Sequence, residues 1–130
     1  FKLNAMRKKE AKKRLTPAEE EIMQILWKQG KGLVKDILKD FNNPKPAYNT
    51  VSTVLRVMEK KGFVAHNKVG VFYEFYPLVA KDKYSKNQAK IMLKSYYNNS
   101  LGEFIGSFAK DLNIPEDKLS QIVEALGEKK

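Results

Sequence analysis

Apolar residues recur along most of this chain at helical spacing, with one interval where the period drops to two. Ala18, Ile22, Ile25 and Leu26 form a first stripe, widened by Met23 and Trp27 and ended by Gly30 and Gly32. Thr16 stands as its N-cap, Pro17 takes the first helical position, and Glu19 follows Thr16 by three, as a capping box requires. Glu19, Glu20 and Glu21 complement the helix dipole, which accounts for that acidic run better than a metal site does. A second, short helix is expected over residues 33–41, with Val34, Ile37, Leu38 and Phe41 on one face, and "NNPKP" breaks it. A third begins near Ala47 and ends before Gly62, with Val51, Val54, Leu55 and Met58 at core spacing.

After Gly62 the period changes. "FVAHNKVGVFYEFYPLV" is rich in β-branched and aromatic residues and holds Gly70. It predicts two antiparallel strands, about residues 64–68 and 72–76, joined by a short turn. From Val79 the helical period returns. One long helix is expected to about Asn98, another around Leu101, Phe104, Ile105 and Phe108, and a last one after Pro115 with Ile122, Val123 and Leu126 as its stripe. The predicted fold class is mostly α with a small antiparallel β-hairpin. Three parts are expected: a basic, unstructured tail over 1–14, a first domain over 15–78, and a helical region over 79–130.

The third helix opens oddly. "YNTVSTVLRVMEKKGFV" places Asn49, Thr50, Ser52 and Thr53 among the β-branched Val51 and Val54, all mediocre helix formers. Helix, short helix, helix and hairpin is the order of a winged helix-turn-helix, whose third helix enters the DNA major groove by its N-terminal half. Short hydroxyl and amide side chains let the backbone approach the bases and can bond phosphates or base edges. On that account Tyr48, Asn49, Ser52, Thr53 and Arg56 face DNA, Lys45 approaches it, and His66, Asn67 and Lys68 on the hairpin touch the phosphate backbone. The same cluster would also serve as ordinary caps and turns.

Charge sharpens the choice. The chain of 130 residues has a net charge of +10. Residues 1–14 carry seven Lys/Arg and one Glu, and residues 45–68 carry five and one. Residues 15–44 carry four basic against five acidic, and residues 69–130 nine against eight. The excess therefore sits in the tail and around the third helix, which predicts a polyanionic partner. Cysteine is absent, removing disulfides, thiolate nucleophiles and cysteine metal sites. With one His, no glycine-rich phosphate loop and no metal-ligand spacing, neither catalysis nor a cofactor or metal is expected. No apolar run approaches the roughly 18 residues of a membrane span, and no apolar signal core opens the chain, so a cytoplasmic location is expected. Two other functions fit less well: a nonspecific architectural DNA binder, which the tail would suit, and a winged-helix protein-interaction adaptor, which has no need of a basic helix start.

"LTPAEEEIMQILW", "YNTVSTVLRVMEKKGFV" and "VFYEFYPLV" resemble the penicillinase-repressor family of bacterial winged-helix regulators (BlaI/MecI/CopY-type), over roughly Leu15 to Leu126. The resemblance implies a homodimer that binds a palindromic operator and blocks transcription of β-lactam-resistance-type genes. Thr50 and Thr53 correspond to the family's recognition-helix threonines, and Arg56 to its arginine, which some relatives carry one position later. The C-terminal helices would make the dimer through Tyr84, Ile91, Met92, Tyr96, Leu101, Phe104, Ile105, Phe108, Ile122, Val123 and Leu126. Family repressors of β-lactam resistance are inactivated by cleavage that depends on a membrane sensor metalloprotease. Their Asn-Phe scissile bond matches Ser107-Phe108 here, where the phenylalanine is kept and the asparagine is not. The copper-responsive branch uses C-terminal cysteines, which this chain lacks.

Overall fold

Helix α1, Pro17–Gln29, starts where local chemistry says it should. The Glu19 N–H donates to Thr16 Oγ1 at 3.2 Å, and the Thr16 N–H donates to Glu19 Oε1 at 2.9 Å, closing the capping box. The computed structural model describes residues 14–127. Most of the basic tail and the side chain of Leu126 lie outside the described residues. After α1 come β1 (Gly32–Leu33), α2 (Val34–Lys39), α3 (Tyr48–Lys61), β2 (Val64–Val69), β3 (Phe72–Pro77), α4 (Lys81–Tyr96), α5 (Leu101–Ala109) and α6 (Glu116–Gly127). The fold is mostly helical with a small antiparallel sheet, as the patterning predicts.

Strand β1 was not expected. It makes the sheet three-stranded, in the order β1-β3-β2, with Gly32 opposite Phe75 and Leu33 opposite Glu74. Its start is closely packed: a Cβ on Gly32 would sit 2.7 Å from Gln29 Oε1, so a larger residue there would displace the Gln29 side chain. Helix α2 is shorter than its apolar pattern, because the Leu33 N–H turns to Asp36 Oδ2 at 3.1 Å and the chain bends out after Lys39. The hairpin pairs β2 with β3 from Val64↔Pro77 to Val69↔Phe72, around a turn of Gly70 and Val71. Gly70 sits at φ +64, the conformation that glycine supplies at the first position of a type II′ turn.

One core joins these elements, built on Ile22, Leu26, Ile37, Leu55, Met58 and Phe75, all essentially inaccessible to solvent. Two expected details differ. Ala18 is exposed, and Glu19 is the residue of that turn that is buried. Tyr84, expected at a dimer interface, belongs to this core at 9% exposure. Its ring lies 5.9 Å from Trp27 and 6.0 Å from Phe63, and its hydroxyl accepts from the Leu15 N–H at 2.8 Å. Trp27 Nε1 donates to Val79 O at 2.8 Å, holding the segment after the hairpin to the same core. The first compact unit therefore ends at Tyr84 and the second begins at Ser85, where the sequence suggested a boundary at residue 78.

The second unit comprises the remainder of α4 with α5 and α6. Asn98 and Asn99, both at positive φ, turn the chain before α5, and the Ser100 Oγ caps α5 by accepting from the Glu103 N–H at 3.0 Å. Tyr97, Phe104 and Phe108 form an edge-to-face aromatic row with centroids 5.2 Å apart. No residue from Ser85 to Ala125 is buried.

Candidate nucleic-acid interface

Helix α3 divides along its length. Val51, Leu55 and Met58 are buried and Val54 half-buried. Opposite them Asn49, Thr53, Arg56 and Lys60 are exposed, spaced i, i+4, i+7 and i+11 on one line along the helix. Tyr48 and Thr50 are exposed beside that line, and Ser52 is half-buried. The Thr53 hydroxyl donates to Asn49 O at 2.8 Å, so its proton is engaged and the side chain offers a methyl group and acceptor lone pairs outward. Among the described residues, neither Arg56 nor Lys60 is paired with a carboxylate.

The start of α3 is also bare. Its N-cap is Ala47, which makes no side-chain cap bond, and its first turn holds no acidic residue. Helix α1, by contrast, has a complete capping box and acids in its first turn. The leading N–H groups and positive dipole end of α3 are left for an external anion such as phosphate.

The far end of α3 is anchored. Lys61 Nζ meets both carboxylate oxygens of Glu19, at 3.0 and 2.9 Å. Glu19 is only 2% exposed. Burial pushes its pKa up, but the Thr16 N–H and the Lys61 ammonium outweigh it and hold the carboxyl below its ordinary value. The chain then leaves α3 through Gly62 at φ +87, with the Gly62 N–H bonded to Glu59 O and the Phe63 N–H to Met58 O. The sequence places Glu19 in the capping box and at the positive end of the helix dipole; its burial and its pairing with Lys61, distant in sequence, are visible only in the fold.

Two residues expected at DNA have partners within the chain. Lys45 folds back, its Nζ donating to Leu38 O at 3.0 Å and Lys39 O at 2.9 Å, so it neutralises the carbonyl end of α2. His66 is half-buried; its Nδ1 lies 2.7 Å from Glu59 Oε2 and its ring stacks on Tyr73 at 4.2 Å. It joins the base of the hairpin to α3. Asn67 and Lys68 are exposed further along β2, with Lys68 Nζ 6.0 Å from the centroid of the Tyr73 ring. In the second unit Ile91, Met92, Phe104 and Ile105 are half-buried, while Tyr96, Leu101, Phe108, Ile122 and Val123 are exposed. The Ser107-Phe108 bond lies inside α5, where the Ser107 hydroxyl donates to Phe104 O at 2.8 Å. Among the described residues, no group of three or more His, Asp or Glu is placed to hold a metal, and no helix is long and apolar enough to cross a membrane.

Three helices and a hairpin around one core, with a polar, uncapped third helix, define a winged-helix regulator of the DNA-binding class. The penicillinase repressor family model matches residues 15–128, and the chain belongs to that family, one of transcriptional repressors and not of enzymes. It is 22% identical over 117 residues to the penicillinase repressor of Bacillus licheniformis, covering 89% of this chain and 91% of the relative. It is 21% identical over 116 residues to the methicillin resistance regulatory protein MecI of Staphylococcus aureus strain N315, covering 88% and 94%. The MecI protein of Mammaliicoccus sciuri is 20% identical over the same shares. Among solved structures, the crystal structure of an ArsR family transcriptional regulator aligns at 16% identity with a TM-score of 0.46, covering 77% of this chain and 99% of that one.

Proposed function

We propose that this chain represses transcription as a homodimer bound to a palindromic operator, with the N-terminal half of α3 in the major groove of each half-site. The observation that carries the reading is the exposed polar line Asn49–Thr53–Arg56–Lys60 on a helix whose opposite face is locked in the core. Thr50, Tyr48 and Ser52 flank that line. Thr53, with its proton engaged, reads a thymine methyl or accepts from an exocyclic amine of adenine or cytosine. Asn67 and Lys68 contact phosphate from the hairpin, while Lys45 and His66 support the site without touching DNA. Two-fold symmetry of the dimer then matches operator symmetry.

The second unit supplies the dimer contacts. It buries no residue of its own between Ser85 and Ala125, yet it holds Ile91, Met92, Tyr96, Leu101, Phe104, Ile105, Phe108, Ile122 and Val123. Side chains of that kind call for a partner surface. Leu126 continues the same stripe in sequence.

The relatives are named for penicillinase and methicillin resistance, which supports a role over β-lactam-resistance-type genes; relief by C-terminal proteolysis linked to a membrane sensor metalloprotease rests on the resemblance of the Ser107-Phe108 segment alone. Cleavage at Ser107-Phe108 requires α5 to open first, because the bond is helical and flanked by the Phe104–Phe108 ring contact.

Hydroxyl-radical footprinting on DNA from upstream of the protein's own gene tests the reading. Two protected half-sites, related by a dyad and spaced by one helical turn or a multiple of it, are expected. Uniform protection without a dyad would overturn it.

A further inference from the structure

The tip of the hairpin is apolar where such turns are ordinarily polar. Val71 is 90% exposed and Phe72, opposite Val69 in register, is 49% exposed. Gly70 already supplies the positive φ of the turn, so the geometry of the turn does not require Val71 to be apolar. At that exposure its side chain contributes nothing to the core. An exposed apolar tip of this kind is expected to be covered in the working complex.

Three features of the hairpin say what covers it. First, its charge suits a polyanion. Between His66 and Tyr73 it carries Lys68 and no carboxylate, and Glu74 beyond it is paired with Lys31 at 3.8 Å. Second, its base is fixed to the recognition helix by the His66–Glu59 hydrogen bond, and its two ends are tied together by the Leu78 N–H to Phe63 O bond at 2.8 Å. Third, its reach is right. The six residues Val64–Val69 extend about 20 Å at strand rise, and half a turn of B-DNA, the step from a major groove to the neighbouring minor groove, is about 17 Å.

We propose that Val71 and Phe72 form an apolar wedge that enters the minor groove beside the half-site, partly unstacks one base step and bends the operator. This rests on the operator-binding reading and extends it to positions that α3 never touches. The wedge favours pyrimidine–purine steps such as TA or CA/TG at the tip, because these unstack most readily. It adds specificity without adding charge.

The test is a circular-permutation bending assay together with salt-dependent titrations, using the full chain, its Val71→Ser and Phe72→Ser variants, and operator and random DNA. Wild type is expected to bend the operator by about 20° or more. Val71→Ser is expected to reduce that bend, weaken operator binding about tenfold and leave the salt slope unchanged, since no phosphate contact is lost. Val71 is so exposed that the variant folds; Phe72→Ser, checked by its melting curve, should lose more. Specific binding without bending, or variants that bind and bend as wild type does, would overturn the wedge and leave the repressor reading intact. Variants that lose self-association in sedimentation, and not bending, would make the tip a protein contact and also overturn it. If wild type shows no operator preference at all, the repressor reading fails and the wedge falls with it.

Discussion

Glu19 has the most to lose among the single residues of the first unit. It closes the cap of α1 and holds the end of α3, so its charge serves both the fold and the reading head. Its folded pKa lies below its ordinary value of 4.5, so the charged form is the one that folding favours. The stability this contributes is fully present above that ordinary value and is lost as pH falls below it through the lowered folded value. Glu19→Gln should therefore cost about 2 kcal/mol at pH 7 by urea denaturation, less than the 3–5 typical of a fully buried pair because Lys61 is partly exposed. The difference from wild type should shrink as pH falls below 4.5. On the DNA side, Thr53→Ala should cost about 1–3 kcal/mol on a cognate site and relax specificity at one base pair. Lys68→Ala should weaken binding alike on all sequences and lower the salt slope by about one; a Lys68 variant that discriminated between operators would contradict its assignment to phosphate. At this scale the sequence was readable where a side chain's spacing decides its place, as for Thr16 and Glu19 as a capping box and for the exposed position of Thr53. It was not readable where a long charged side chain chooses among partners distant in sequence. Lys45 and His66 look like DNA contacts in a basic window, and only the fold shows the α2 carbonyls and Glu59 that hold them.

Among the elements, α3 and the hairpin act together. Gly62 ends α3 in the left-handed region, and nothing lies within 4 Å of where a Cβ would stand. Gly62→Ala should thus cost about 1 kcal/mol from backbone strain alone, with no packing penalty, and the midpoint of denaturant unfolding would report it. A much larger loss would mean that the turn into β2 is itself distorted. The hydrophobic period made α1, α3 and the hairpin legible, including the strand ends to within a residue or so. It could not reveal β1, because two residues carry no period, and Gly32 reads as a helix stop when it is a close-packed strand position. It overstated α2 for a related reason: Phe41 is buried at helical spacing, but from the turn that follows the helix.

For the whole molecule, Tyr84 shows how far a pattern can mislead. It lies on the long helix α4, in register with later apolar positions, yet it closes the core of the first unit. The stripe that remains from Ile91 onward has no buried member within its own unit, so sedimentation equilibrium at micromolar concentration should give a dimer. Charged substitutions at Tyr96 and Val123 should shift it to monomer and weaken operator binding without unfolding the first unit. Nonspecific wrapping of DNA remains the chief competing account of the basic surface, and it differs from repression in one measurable ratio. The most direct test is a fluorescence-anisotropy titration of the full chain against DNA from upstream of its own gene and against random DNA of equal length, at two salt concentrations. A preference for the upstream DNA of about 10³ or more, persisting at the higher salt, is the predicted result. Equal affinity for both, falling steeply and in parallel with salt, would contradict sequence-specific repression from that site.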